Sequence, residues 1–63
     1  MSSIKEIREG LQMTQQEMAD ELNVSRLTYL NYESGRTKMD TDKIKVLLEL
    51  SGSKFEEVEW VKS

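Results

Sequence analysis

This chain of 63 residues has no cysteine, no histidine and no proline, and its glycines are only Gly10, Gly35 and Gly52. Without cysteine there can be no disulfide, and without cysteine or histidine the usual zinc-ligand sets are absent. The same two absences remove the commonest nucleophilic and acid–base side chains, and no glycine-rich phosphate loop is present. Gly35-Arg36-Thr37-Lys38 lacks the second glycine such a loop requires. Asp40 and Asp42 lack the rest of a calcium loop and read as cap and loop residues. Enzymatic activity is therefore not expected, and neither is a cofactor or a metal. No apolar run approaches the roughly 18 residues a membrane span needs. Met1-Ser2-Ser3-Ile4-Lys5-Glu6 contains no signal-peptide hydrophobic stretch. A soluble, cytoplasmic protein without membrane association is the expectation.

What the chain does have is a dense set of helix signals. Ser3-x-x-Glu6, Thr14-x-x-Glu17 and Ser53-x-x-Glu56 each read as a capping box, in which the hydroxyl takes an orphan amide and the glutamate reaches back. Apolar residues recur at helical spacing: Ile4, Ile7 and Leu11; Met18, Ala19 and Leu22; Ile44, Leu47, Leu48 and Leu50; Phe55 and Val58. Gly10, Asn23, Gly35 and Gly52 mark helix ends. Alternation typical of strands is missing. The reading is an all-α single domain, residues 1–63, with five helices near 3–9, 15–22, 25–33, 41–51 and 54–59. After Asn23 ends the second helix, only Val24 and the N-cap Ser25 remain before the third, so those two helices must cross at a large angle as a helix-turn-helix. Ala19 is the small residue that lets them approach. Tyr29 and Tyr32 read as core residues with wet hydroxyl edges.

The formal net charge is −3, which argues against simple polyanion binding, so its distribution matters. Residues 1–24 carry −3 and residues 46–63 carry −2, whereas residues 25–45, with Arg26, Arg36, Lys38, Lys43 and Lys45, carry +2. A locally basic middle on an acidic body is compatible with a modest DNA footprint.

Ile4-Lys5-Glu6-Ile7-Arg8, Met13-Thr14-Gln15-Gln16-Glu17-Met18-Ala19, Asn23-Val24-Ser25-Arg26, Tyr29, Tyr32-Glu33-Ser34-Gly35-Arg36 and Asp42-Lys43-Ile44 together carry a resemblance. From Ile4 to Val58 the chain resembles the Cro/repressor-like helix-turn-helix (XRE) family of phage and bacterial regulators. The resemblance implies a compact five-helix orthogonal bundle of the lambda-repressor-like type. It also implies a dimer on a double-stranded DNA operator, with the third helix in the major groove and the amide end of the second against phosphate. Carried over by position, Gln15 is a phosphate-clamping or outer-base residue, with Gln16 beside it. Ser25, Arg26, Leu27 and Asn31 face the groove, and Arg36 and Lys38 contact phosphates. Arg26 has the fork for guanine O6 and N7, Asn31 the amide for an adenine edge, and Leu27 an apolar contact for a thymine methyl. Arg8 on the first helix is implied to pair with Glu33, tying that helix to the end of the third.

The chain departs from the family pattern in three places. Leu27 and Leu30 lie on the predicted outer face of the third helix, where polar residues are more usual, and so offer an alternative: a modulator or antirepressor that docks on a partner regulator. Met39 stands where the family commonly has proline, which predicts a less rigid loop. Trp60 and Val61, beyond the match, either cover the base of the bundle or meet a second copy.

Overall fold

A computed structural model describes residues 2–60, so Val61 lies outside the described residues. The element order is β1 (Ser2–Ser3), α1 (Ile4–Gly10), α2 (Gln15–Glu21), α3 (Arg26–Ser34), α4 (Thr41–Ser51), a 3-10 turn (Phe55–Glu57) and β2 (Val58–Glu59).

The helix starts are set by side chains that take up orphan amides. Ser3 Oγ accepts from Glu6 N (3.1 Å) while Glu6 Oε1 accepts from Ser3 N (3.0 Å). Thr14 and Glu17 repeat the exchange at 3.1 and 2.8 Å. Ser25 caps α3 through Thr28 N, and Asp40 caps α4 through Lys43 N. Each such cap is worth about 1 kcal/mol.

The first three helix ends share one closure. At the end of α1, Gln12 N and Met13 N donate to Glu9 O and Arg8 O; at the end of α2, Asn23 N and Val24 N donate to Asp20 O and Ala19 O. The residue in the left-handed conformation is Gln12 (φ 58°) in the first and Asn23 (φ 57°) in the second. Gly35 (φ 82°) closes α3 in the same way, with Arg36 N donating to Asn31 O. Gly10, predicted to release the chain from α1, is instead that helix's last residue, and Gln12 takes the strained position two residues later.

The predicted fifth helix over 54–59 is not present. A three-residue 3-10 turn is followed by extended backbone, and β2 pairs in parallel with β1 in the register Ser2↔Val58 and Ser3↔Glu59. Ser53 is no cap: Glu57 accepts from Lys54 N (2.9 Å), one residue later, and the lysine side chain, which has only donors, cannot complete the box. The physical reason is burial. Of the apolar pair predicted to face inward, Val58 is 4% exposed but Phe55 is 54% exposed. A helix here would have little to bury in return for its nucleation cost, whereas the Ser2–Ser3 backbone offers a ladder.

The core comprises Ile4, Ile7, Met18, Ala19, Leu22, Tyr29, Tyr32, Met39, Leu47 and Val58. It draws on all four helices, on β2 and on the loop before α4. Met39, in the loop before α4, is buried, and its side chain joins the core. Along α4 only Leu47 is fully enclosed, while Ile44, Val46, Leu48 and Leu50 pack partly buried around it. The most extensive helix–helix contact is between α2 and α3, with Ala19 fully buried. Among the described residues no helix is long and apolar enough to cross a membrane.

Candidate nucleic-acid interface

The turn between α2 and α3 is short because Asn23 reverses the chain and Ser25 at once starts the next helix. That geometry brings the first turn of α2 beside the outer face of α3. Two open grooves run along this face, and Gln15 borders both. One is lined by Arg8, Thr14, Gln15, Gln16 and Arg26, and the other by Lys5, Gln15, Leu30, Asn31, Glu33, Ser34 and Arg36.

Behind the grooves sits a polar cluster centred on Glu33. Arg8 Nε donates to Glu33 Oε2 at 2.7 Å, and the two side chains are 12% and 9% exposed. The Tyr29 hydroxyl, one helical turn before Glu33, donates to the same oxygen. Gln15 Nε2 approaches Glu33 Oε1 at 3.4 Å, and Arg8 Nη1 donates to Met13 O at 3.0 Å. One carboxylate thus joins α1, α2 and α3.

The electrostatics follow from this geometry. Burial pushes the Glu33 carboxyl up, but the hydrogen bonds from Arg8, Tyr29 and Gln15, with the Arg8 charge, outweigh it and hold the group below the usual carboxylate range. Burial, and then the hydrogen bond to Glu33, push the Tyr29 phenol well above its ordinary value. Arg8 is raised chiefly by its bond to Glu33. At neutral pH the cluster is an ion pair with a neutral phenol.

The residues expected to face DNA occupy different situations. Arg26 is exposed in the first turn of α3. Gln16 is exposed, with its amide donating to Asp20 at 3.0 Å. The Ser25 hydroxyl is committed to capping: it accepts from Thr28 N and donates to Thr28 Oγ1 at 2.9 Å. Asn31 is half-buried on the second groove, and Arg36 and Lys38 are exposed after α3, with Lys38 lining neither groove. Leu27 is 68% exposed. Leu30 is only half-buried, so the two leucines do not form one equally exposed pair. Trp60 packs partly buried against the core, stacks on Phe55 at 5.4 Å between ring centroids, and donates from Nε1 to Phe55 O at 3.0 Å.

Four contributions escape the sequence reading. Lys5 and Thr14 line the grooves, and Tyr29 is bonded to Glu33. The i, i+4 spacing of Tyr29 and Glu33 was the available signal for the last. The approach of Gln15 to Glu33, 18 residues apart, had none. Among the described residues no group of acidic side chains could hold a metal ion.

The fold and this face define a helix-turn-helix domain. A family model described as a helix-turn-helix domain matches residues 2–57, and the chain belongs to that family, which is part of the XRE-like group. Comparison with curated proteins and with solved structures returns no match. Family membership suggests a DNA-binding regulator.

Proposed function

We propose that this protein is a sequence-specific DNA-binding regulator of the repressor or Cro type, a binding module and not an enzyme. It places α3 in the major groove and acts as a dimer on half-sites about one helical turn apart. The observation that carries the reading is Arg26: exposed at the start of α3, beside Gln15 and Gln16, with no salt-bridge partner among the described residues. Its fork suits guanine O6 and N7. Lys5, Arg36 and Lys38 supply phosphate contacts. Three such contacts give a salt slope of about −2.7 per protomer, at roughly 0.9 each. That footprint is small, and pairing two protomers compensates for it.

Binding-site selection on random duplexes tests the proposal, followed by gel shifts with Arg26→Ala. The variant should lose about 1–3 kcal/mol and relax preference at one base pair. If affinity and preference are both unchanged, α3 does not read DNA through this residue. The 68% exposure of Leu27 favours a second reading, in which the same face docks on a partner regulator. Failure of the protein to bind any duplex alone, with stable heterodimer formation, would support that alternative.

A further inference from the structure

We propose that Glu33 fixes the amide of Gln15 so that its carbonyl oxygen and one N–H face the groove, making Gln15 a reader of adenine. The inference rests on the DNA-binding reading above and deepens it. Glu33 is a positioning residue in this scheme, since it acts through Gln15.

A glutamine side chain has an acceptor and a double donor at its tip, and its neighbours decide which of the two points where. The neighbour here is a carboxylate. Glu33 Oε2 already receives Arg8 Nε at 2.7 Å and the Tyr29 hydroxyl, so Oε1 is the oxygen left for Gln15. An ionised carboxylate only accepts. The Gln15 nitrogen must therefore face it, and at 3.4 Å the contact is long for a hydrogen bond but still decides the orientation. Turning the amide over would set two acceptor oxygens against each other.

The positioning group is itself held in place. Glu33 is 9% exposed and is gripped from α1 and from its own helix. It cannot swing to follow Gln15, so the amide direction is set before any ligand arrives.

What Gln15 then presents is its carbonyl oxygen and its second N–H. Among the described residues Oε1 receives no hydrogen bond, and no buried side-chain oxygen or nitrogen lacks a partner. Gln15 is not an exposed residue, and this unpartnered oxygen is not sealed from solvent. A phosphate oxygen carries no proton at neutral pH, so it can take the second N–H but leaves the carbonyl oxygen unmatched. Adenine offers N6–H and N7, the complement of an oxygen beside an N–H. Guanine offers two acceptors at the same edge. Gln15 also borders both grooves, one shared with Arg26 and the other with Asn31, which puts it among the base-reading candidates.

The test uses the duplex selected by the wild-type protein, with each base pair replaced in turn, and the variants Gln15→Ala and Arg26→Ala. One A·T pair should cost the wild type roughly 5- to 150-fold when replaced, and should cost Gln15→Ala less than about 2-fold. A uniform loss on every duplex in Gln15→Ala, with Arg26→Ala still altering one position, would make Gln15 a phosphate clamp and overturn this inference alone. If the wild type selects no duplex, the DNA-binding reading falls and takes this one with it. The positioning is read separately in the free wild-type protein by NMR. One Hε2 proton of Gln15 should be displaced relative to those of exposed Gln12, and its exchange with solvent should be slower. Indistinguishable signals from the two glutamines would overturn the role of Glu33.

Discussion

Replacing Arg8 by alanine leaves Glu33 behind in a site that is nearly closed to water. Both side chains of the pair are about nine-tenths buried. Removing one partner of such a pair typically costs about 3–5 kcal/mol, because the remaining charge is stranded. Two features set the value here. Tyr29 and Gln15 still donate to Glu33, which lowers the cost, while the bond from Arg8 to Met13 O is also lost, which adds roughly 1 kcal/mol. We expect about 3 kcal/mol. A domain of 63 residues has a total stability of roughly 3–9 kcal/mol at 0.05–0.15 kcal/mol per residue, so the variant should sit at the edge of folding at room temperature. Urea titration at low temperature, followed by far-UV circular dichroism, measures the difference.

The pH dependence sharpens this prediction. In the wild type the Glu33 carboxyl lies below its ordinary value of 4.5, so the stability it contributes is full above that value and is lost as pH falls through the lower folded one. In Arg8→Ala the strongest influence holding the carboxyl down is gone and burial still pushes it up, so the stranded group takes a proton more readily. The cost of the variant should therefore be greatest near pH 7 and shrink as the solution is acidified. A cost under about 1 kcal/mol at pH 7, or one that does not change with acid, would refute the argument that a buried pair closes α1 onto α3.

Three further outcomes follow from the same geometry. Tyr29→Phe removes a donor to a buried carboxylate and should lose about 1.5–3 kcal/mol in the same titration. Because the Tyr29 phenol is raised when folded, its contribution is complete below about pH 10 and is lost as pH rises toward the folded value; the variant should show a weaker alkaline loss. Ala19→Leu puts a large side chain into a fully buried site between α2 and α3 and should cost roughly 1–3 kcal/mol, with a thermal midpoint that remains at or above wild type ruling out close approach there. Gln12→Gly relieves a left-handed conformation at φ 58° and should stabilise by about 0.5–1 kcal/mol, net of the added freedom of the unfolded chain. A loss on that substitution would show that the Gln12 side chain contributes more than its backbone costs.

Sequence alone determined the pieces whose cause is local. Ser3, Thr14, Ser25 and Asp40 start helices because a short polar side chain satisfies an amide two or three residues ahead. Asn23, Gly35 and Gly52 end them because those residues tolerate positive φ, and the tight turn between α2 and α3 was legible for the same reason. Tertiary structure decided the rest. Residues 54–59 carry a helix-like pattern, but pairing of Val58–Glu59 with Ser2–Ser3, across nearly the whole chain, overrode it. Met39 reads as a loop residue until the core closes over it. The direction of the Gln15 amide depends on a carboxylate 18 residues away, held by side chains from two helices. Local capping repeats wherever its short motif occurs, whereas burial and shared hydrogen-bond partners exist only once distant segments have met.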